Sequence, residues 1–298
     1  MKSYLVSVIV PSYNHAKFIE FRIESILQQT YQNFELVIMD DLSPDNSRDI
    51  IEKFRNHPKV SQIILNEKNS GSTFYQWNRG ILQHAKGEYI WIAESDDMCD
   101  KFFLEKMIEK FKFNNNLVLA YTQSARMNSK NEKTGSWKTW TDSMKYGDIF
   151  NESFEMNGIE FIKKFMLFKN VIPNASGVVF RKDIYSFVLG ALPYLKTNGD
   201  WDIWIKILSK GDVYFCADEL NYFRYHENSV IANSVKGNIL QRKYKEYKEQ
   251  ILLKKSVQGT VKHYKELSNI NNRLLLKAIF MAKGLEVISL MMGKRKGE

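Results

Sequence analysis

The feature that most constrains the fold is an alternation of strand-like and helical patterns through the first 125 residues. Between the strand-like runs, apolar residues recur at the spacing of one helix face. A chain that alternates in this way forms a mostly parallel sheet covered by helices, so the sequence predicts an α/β fold. The five predicted strands are Leu5–Val10, Phe34–Met39, Val60–Leu65, Glu88–Ala93 and Leu117–Thr122.

Ser43 and Pro44 are predicted to begin the second of these helices, as its N-cap and first residue. Residues 125–150 lose the periodicity and become polar, which predicts a loop or short hairpin, either functional or poorly ordered. Further elements are then predicted, and the chain becomes helical and basic from about Val235. These elements are helices at Gly158–Phe168 and Trp201–Leu208, and strands at Ser176–Arg181, Val213–Phe215 and Tyr222–Tyr225.

The charge is concentrated in the basic C-terminal part. Residues 233–298 contain 15 Lys/Arg against 5 Asp/Glu, whereas residues 1–232 contain 28 against 29. A uniformly basic protein would suggest nucleic acid as partner; this distribution instead predicts a neutral domain at 1–232 and a basic helical extension at 233–298 that meets an anionic surface.

Two cysteines, Cys99 and Cys216, lie far apart without a CxxC partner, which argues against a disulfide framework or a Cys-ligated zinc site. We also expect no secretory signal peptide, and no uncharged run is long enough to span a membrane. The expected location is the cytoplasm.

Polar and acidic residues follow three of the predicted strands. They are Pro11–Asn14 after the first, Asp40 and Asp41 after the second, and Glu94–Asp97 after the fourth. Ligands of open α/β sheets bind beyond the carboxyl ends of the strands. Any single acid there could be a helix cap or a solvated loop residue, but five acids at one crevice would repel one another without a cation among them.

These residues lie within a longer series of motifs that resembles the family 2 glycosyltransferases with the GT-A fold, over roughly residues 4–230. The matching segments, in order, are Val6–Asn14, Ser25–Leu36, Met39–Asp41, Lys86–Ile90, Glu94–Asp97 in the place of the DxD motif, Gly199–Trp204 and Tyr222–Ser229. The resemblance implies a nucleotide-binding sheet and an inverting enzyme that moves a sugar from a nucleotide-sugar, with UDP preferred, to a hydroxyl of a glycan or lipid-linked glycan. It also implies a Mn²⁺ or Mg²⁺ cofactor and a role in bacterial surface-polysaccharide synthesis, such as capsule or lipopolysaccharide.

The resemblance assigns the nucleotide-sugar site to several residues. Pro11 and Tyr13 would line the base pocket, although a tyrosine there could also be core. Asp41 would accept a hydrogen bond from the base imide, unless it caps a helix, and Asp40 would support it. Glu94, in the place of the family's first Asp, would contact the ribose. The remaining residues assigned to donor binding are Ser95, and Asn78 with Arg79, which follow a Trp77 where the family often has Arg.

The same resemblance assigns the chemistry. Asp96 would bind the cation, and His226 would bind the metal or the diphosphate, unless it is an ordinary surface or core histidine. Asp97 would support the motif or cap the next helix. Asp200 would act as general base towards the acceptor hydroxyl; its alternative is an N-cap.

The basic extension ends in a helix whose apolar side could lie on an anionic lipid surface. Its alternative is packing on the catalytic domain or on a second subunit. The apolar residues are Leu275, Ile279, Met281, Leu285, Ile288 and Met292. Two other functional classes fit the sequence less well. A dinucleotide oxidoreductase would need GxGxxG where Pro11–Asn14 stands, and an inactive nucleotide-sugar- or carbohydrate-binding relative is favoured only by Glu94.

Overall fold

The computed structural model describes residues 4–226 and 238–294. Within them, ten strands form one sheet and nine α-helices flank it. The strands are β1 Val6–Ser12, β2 Phe34–Asp40, β3 Val60–Leu65, β4 Tyr89–Ile92, β5 Met98–Cys99, β6 Leu117–Met127, β7 Lys133–Ser136, β8 Phe154–Asn157, β9 Val178–Arg181 and β10 Asp212–Arg224. The helices are α1 Ile19–Leu27, α2 Ser47–Glu52, α3 Thr73–Arg79, α4 Phe103–Phe113, α5 Gly158–Phe161, α6 Lys182–Phe187, α7 Gly199–Leu208, α8 Ile239–Val261 and α9 Lys265–Lys294.

The sheet has the order β3-β2-β1-β4-β9-β6-β10-β5, with β7 added to β6 and β8 to β10. The half formed by β3, β2, β1 and β4 is parallel. In the other half, β9 runs antiparallel to both β4 and β6, and β10 runs parallel to β6. The predicted α/β fold is therefore confirmed, with its parallel part at the predicted nucleotide-binding side.

Helices cover both faces of this sheet, so its first strand is buried along its whole length rather than at alternate positions. All seven residues of β1 are buried. Val6, Val8 and Val10 pack with α1 and α4 on one face, whereas Ile9 packs on the other face against α3 and its π-helical continuation, Gly80–His84.

Two predicted boundaries are wrong. The second helix begins at Ser47 with Asn46 in the N-cap position, not at Ser43 and Pro44. Ser43 instead lies in the preceding turn, where Leu42 has a φ of 62° and the backbone N–H of Ser43 donates to Asp40. The two strands predicted near 213–215 and 222–225 are one strand, β10, whose register shifts against β6 between Cys216 and Asn221. Bulges of this kind interrupt the pattern without ending the strand.

The polar segment 125–150 is an extension of the sheet followed by short turns. β6 continues to Met127 and pairs with β7 as a hairpin, and 3₁₀ turns follow at Lys138–Trp140 and Gly147–Asn151. Trp137 is buried. The hairpin interpretation is therefore correct, and the segment is packed against the domain.

The C-terminal helices pack on the sheet domain and on each other. α8 contacts α7, and Leu253, Val257 and Val261 of α8 join the same apolar core as Trp201. α9 packs along α8. No helix in the described ranges combines the length and apolar character needed to cross a bilayer. Glu227–Ser229 of the last motif, the boundary predicted at 232/233, and the side chains of Ile288 and Met292 lie outside the described residues.

Candidate active site

The polar segments that follow β1, β2 and β4 meet at one edge of the sheet. Ser12 at the end of β1 pairs with Asp40 at the end of β2, and the Asp41 N–H donates to the Ser12 carbonyl at 2.9 Å. On the other side of β1, the Ala93 N–H donates to the Ile9 carbonyl at 2.8 Å and places Glu94 at the same edge. Parallel register therefore produces the predicted crevice.

Three potential metal ligands from distant parts of the chain converge in this crevice. His226 Nε2 lies 3.0 Å from Asp96 Oδ2, and His15 Nε2 lies 3.9 Å from the same oxygen. All three ligand atoms lie within 4.8 Å of one another, and within the described ranges no other group of three or more His, Cys, Asp or Glu does so. Two imidazoles and a carboxylate at these separations fit one divalent cation.

The protonation states of His15 and Asp96 suit the binding of a metal ion. Burial lowers the pKa of His15, against the opposing charge of Asp96, so its imidazole is neutral at neutral pH. Burial acts to raise the pKa of Asp96, but His15 and His226 outweigh it and the net pKa is lowered. A neutral imidazole and an ionised carboxylate are the forms that bind metal.

His226 reaches Asp96 because the end of β10 is tied to the Asp96 loop. β5, which follows that loop, pairs antiparallel with β10 through Asn221 and Cys99. Arg224, fully buried, donates from Nε to the Asp96 carbonyl at 2.6 Å and from its backbone N–H to Asp97 Oδ1 at 3.0 Å. Asp97 is therefore a support for the motif rather than a helix cap, since α4 begins only at Phe103.

The two departures from the family pattern, Glu94 and Trp77, contact each other. Trp77 Nε1 donates to Glu94 Oε1 at 2.9 Å, and Trp77 is almost fully buried. Burial and then the charge of Asp96 raise the pKa of Glu94 to about 8. In the metal-free protein Glu94 is therefore largely protonated at neutral pH, with one oxygen held by the indole.

Asp40 and Asp41 organise the loops beside the crevice. Asp40 Oδ1 accepts from Arg48 Nε at 2.6 Å. The Asp41 carboxylate accepts from Ser70, from Asn66 Nδ2 at 2.7 Å and from Gln76 Nε2 at 2.8 Å. Asp41 thus holds the 66–72 loop and the first turn of α3 against β2, and its predicted bond to a base imide remains a prediction.

The end of β1 offers an exposed aromatic ring at the crevice. Pro11 is buried, but Tyr13 is 48% exposed, so it is not a core residue and its ring is free to stack on a planar ligand. Ser95 is buried, and its Oγ lies 2.7 Å from His15 Nδ1. Ser95 therefore orients the imidazole whose other nitrogen faces Asp96.

Asn78 and Arg79 at the end of α3 differ in what they contact. The Asn78 amide bonds the Tyr185 hydroxyl and both backbone groups of Ala191, so it is committed to that turn. Arg79 donates to Asn66, which in turn donates to Asp41. Only Arg79 joins the network at the strand ends, and the donor contacts of both residues remain predictions.

Asp200 lies in the first turn of α7, partly exposed. Its Oδ1 accepts the N–H of Trp201 at 2.7 Å, and its Oδ2 accepts Asn170 Nδ2 at 3.1 Å. Desolvation by the surrounding protein raises the pKa of Asp200 to about 7, while these two hydrogen bonds oppose the increase. A carboxylate with a pKa near neutrality is suited to accept a proton from a hydroxyl in the transition state.

Helix α3 contacts the three regions that contain Asp41, Glu94 and Asp200. Gln76 bonds Asp41, and Trp77 bonds Glu94. The ring of Phe74 packs against Gly199, the residue before Asp200, so closely that a Cβ there would lie 2.4 Å from it. The strand ends and the start of α7 therefore border the same helix.

His15 is the functional candidate that sequence patterns did not identify. It follows Tyr13 and Asn14 just beyond the first strand, which is the same kind of position that identified Asp41 and Asp96. Its position after a strand was therefore the one feature of the sequence that pointed to His15. It lies in no motif, and a single histidine among five has no distinguishing pattern. Asn170, between predicted elements, carried no signal.

Residues 7–185 match the family model described as "Glycosyl transferase family 2". The chain is 28% identical over 234 residues to the putative teichuronic acid biosynthesis glycosyltransferase TuaG of Bacillus subtilis, covering 78% of this chain and 84% of that protein. It is 30% identical over 239 residues to the UDP-Glc:alpha-D-GlcNAc-diphosphoundecaprenol beta-1,3-glucosyltransferase WfaP of Escherichia coli, covering 80% and 84%.

Two solved structures share the fold at low sequence identity. Residues 1–349 of TarS from S. aureus, in complex with UDP-GlcNAc, superpose with a TM-score of 0.67 at 20% identity, covering 93% of this chain and 72% of that one. The mannosyltransferase PcManGT from Pyrobaculum calidifontis, in complex with GDP-Man and Mn²⁺, superposes with a TM-score of 0.61 at 14% identity, covering 98% and 79%. At these identities the likeness shows the fold alone.

Proposed function

The chain belongs to glycosyl transferase family 2 and is a glycosyltransferase, and from this premise we propose that it transfers a sugar with inversion from a UDP-sugar to a hydroxyl of a lipid-linked glycan. The observation that carries the proposal is the meeting of His15, Asp96 and His226 at the strand edge that also exposes Tyr13. Together they provide a stacking surface for a base and a cation site for the diphosphate.

The proposed donor site follows from the chemistry of these groups. Tyr13 stacks on the nucleobase. His15, Asp96 and His226 would hold a Mn²⁺ or Mg²⁺ ion, which would supply positive charge against the charge that develops on the leaving diphosphate. The relatives support this proposal, because WfaP is named for a UDP-Glc donor and a diphosphoundecaprenol-linked acceptor.

Asp200 is the proposed general base that acts on the acceptor hydroxyl. The acceptor oxygen forms a bond to the anomeric carbon while the bond from that carbon to the diphosphate oxygen breaks, and the hydroxyl proton passes to the Asp200 carboxylate. A single displacement of this kind inverts the anomeric centre and needs no carboxylate nucleophile, unlike a retaining reaction. The products are a glycoside and a nucleoside diphosphate.

A donor panel tests this function. UDP-glucose, UDP-galactose and their N-acetyl forms are titrated calorimetrically with Mn²⁺, with Mg²⁺ and with chelator, and transfer to acceptor glycans is followed by mass spectrometry. We expect cation-dependent binding of one UDP-sugar. Asp96→Asn should lose that dependence, whereas Asp200→Asn should bind the donor normally and transfer about 10²- to 10⁴-fold more slowly.

Three outcomes would contradict parts of the proposal. No binding of any UDP-sugar with either cation would reject the donor class. Binding without transfer to any acceptor would indicate a nucleotide-sugar-binding relative. Wild-type transfer rates in Asp200→Asn would remove that residue from the mechanism.

We also propose that the protein acts as a peripheral protein at the inner face of a bacterial membrane, through α9. Leu276 and Phe280, one helical turn apart, are 66% and 77% exposed, and the neighbouring Lys277 and Lys283 are exposed as well. Apolar side chains bordered by lysines suit an interface rich in anionic lipid. A lipid-linked acceptor would then be presented at the surface where the enzyme binds. The alternative occupant of this face is a second copy of the chain.

A further inference from the structure

The side chain of Asn170 lies between the proposed base and the 125–150 segment. It follows the π-helical turn Ile162–Met166 that continues α5. Its Oδ1 accepts the backbone N–H of Ile172 at 3.2 Å, and its Nδ2 donates to Asp200 Oδ2 at 3.1 Å. Because the oxygen is used by a backbone donor, the amide is oriented with its NH₂ group towards Asp200.

Trp140 in turn fixes the backbone of Asn170. Trp140 Nε1 donates to the Asn170 carbonyl at 2.7 Å. The preceding residue, Lys169, places its ammonium 3.9 Å from the centroid of the Trp140 ring and donates to the Trp140 carbonyl. The Lys169–Asn170 dipeptide is thus held by both the side chain and the backbone of Trp140.

We propose that Asn170 is a positioning residue for Asp200, and that Trp140 holds Asn170 in place for this role. The proposal rests on Asp200 as the general base. Through Trp140 and Asn170, the 125–150 segment is connected by hydrogen bonds to the Asp200 carboxylate.

The Asp200 carboxylate is oriented so that one of its oxygens can still accept a hydrogen bond from an acceptor hydroxyl. Oδ1 is held by the Trp201 N–H, and Oδ2 is held on one side by Asn170. A carboxylate oxygen has a second acceptor position, so Oδ2 can still receive a substrate hydroxyl. Two fixed hydrogen bonds restrict rotation of the carboxylate and so pre-organise the base.

The charged groups of the neighbouring segments are engaged elsewhere. Lys169 is bound to Trp140. Lys254 of α8 donates to the Leu167 carbonyl at 2.5 Å and lies 4.8 Å from the Trp201 ring centroid. Asp202, on the same helix as Asp200, is paired with Lys206 at 2.6 Å. The Asn170 amide is therefore the side-chain group that favours ionised Asp200, and its hydrogen bond opposes the burial that raises the pKa of Asp200.

The test uses three variants of the full chain. Asn170→Ala removes the donor, Asn170→Asp replaces it with an isosteric acceptor, and Trp140→Phe removes the indole N–H that holds Asn170 while leaving a smaller aromatic ring beside Lys169. The matched control is Asn115→Ala, an exposed asparagine before β6. Because β6 runs parallel to β4, its start lies at the opposite end of the sheet from the crevice.

We expect the acidic limb of the kcat–pH profile to move upward by about one pH unit in Asn170→Ala. At pH 6.5 this lowers kcat roughly tenfold, with KM for the donor within about twofold. Asn170→Asp should move the limb at least as far, and Trp140→Phe should move it in the same direction by less. Asn115→Ala should match the wild type.

A second readout does not depend on turnover. The carboxyl titration of Asp200 is followed by NMR in protein carrying ¹³C-labelled aspartate, with Asp200→Asn assigning the signal. An unchanged titration midpoint in both Asn170 variants would overturn the proposal, as would a loss of kcat that is equal at every pH. If no UDP-sugar were transferred by the wild type, the proposed function would fail, while the NMR titration would still decide whether Asn170 holds Asp200.

Discussion

At the scale of single residues, the candidate metal group shows what a sequence pattern can and cannot identify. Asp96 was predicted because it follows a buried strand within an acidic motif, and His226 because it lies in a motif-like run. His15 also follows a strand, but it lies in no motif, and it becomes a candidate only when β1 and β4 are adjacent and its ring faces Asp96. When the ligands of one metal ion come from the ends of different strands, their meeting depends on how those strands pair. The local sequence does not encode that pairing.

Removal of His15 should weaken binding of the cation. In His15→Ala, we expect the dissociation constant for Mn²⁺, measured by calorimetry, to rise by at least about 10- to 100-fold, which is the loss found when a group that only supports a metal ligand is removed. His263→Ala is the matched control, because His263 is exposed at the junction of α8 and α9. Equal Mn²⁺ affinity of His15→Ala and the wild type would remove His15 from the site.

Glu94 should make the stability of the metal-free protein depend on pH. Its pKa is raised to about 8 by burial and by Asp96, and burial raises the pKa of Asp97 and Asp200 to about 7. The folded state therefore binds more protons than the unfolded chain between about pH 4 and 8. The corresponding stability is present below the unfolded pKa and is lost as the pH rises through the folded one.

Replacement of Glu94 by glutamine should flatten this dependence. The amide oxygen can still accept the Trp77 N–H, but no proton is lost at high pH. Between pH 6 and 9 we expect the Tm of Glu94→Gln to fall less than that of the wild type, by on the order of 2–5 °C. Glu109→Gln, on the exposed side of α4, should behave as the wild type. Parallel profiles for Glu94→Gln and the wild type would show that Glu94 ionises freely when folded.

At the scale of elements, periodicity predicted the strands and helices well but their ends poorly. The strand at 34–40 has a central apolar run, Leu36–Met39, which predicts its type, whereas the start of α2 depends on the turn in which Leu42 adopts a positive φ. The bulged β10 was divided into two because its register shifts interrupt the apolar pattern. Turn geometry and bulges arise from tertiary contacts, which a single local pattern does not encode.

The contact of α3 with α7 gives a prediction at this scale. A Cβ at Gly199 would lie 2.4 Å from the Phe74 ring, so Gly199→Ala must push the two helices apart. We expect a loss of about 1–3 kcal/mol in the free energy of unfolding, measured by urea denaturation. Because Asp200 follows directly, kcat should fall as well. Gly284→Ala in α9 meets nothing within 4 Å and should be neutral or stabilising by up to about 1 kcal/mol. A stable, fully active Gly199→Ala would show that α7 is free to move.

At the scale of the whole molecule, the basic extension is part of the folded core. Leu253, Val257 and Val261 of α8 and Leu267 of α9 are buried with the apolar residues of α7. Four such side chains contribute roughly 6–12 kcal/mol, at about 1.5–3 kcal/mol each. That is comparable with the whole stability of a typical domain, about 5–15 kcal/mol. The charge distribution predicted a basic helical extension but left open whether it packs on the catalytic domain, because net charge does not reveal which apolar residues of a helix are buried.

Truncation of the chain before Asn238 should therefore prevent stable folding. We expect the fragment 1–237 to lack a cooperative thermal transition by circular dichroism and to bind a dye for exposed apolar surface. The full chain carrying Leu276→Ser serves as control, since Leu276 is exposed and its loss should leave the Tm within about 1–2 °C of the wild type. A fragment that melts cooperatively near the wild-type temperature would establish an independent domain.

The exposed face of α9 gives the last prediction, which concerns where the folded molecule acts. Phe280 and Leu276 together offer an apolar surface beside Lys277 and Lys283. The wild type should sediment with vesicles that contain anionic phosphatidylglycerol, and the double variant Leu276→Ser/Phe280→Ser should lose most of this binding. Added salt should weaken binding, because the lysine contribution is screened. If instead the double variant left vesicle binding unchanged but altered the molecular mass in solution, measured by analytical ultracentrifugation, this face would be a contact between two copies of the chain.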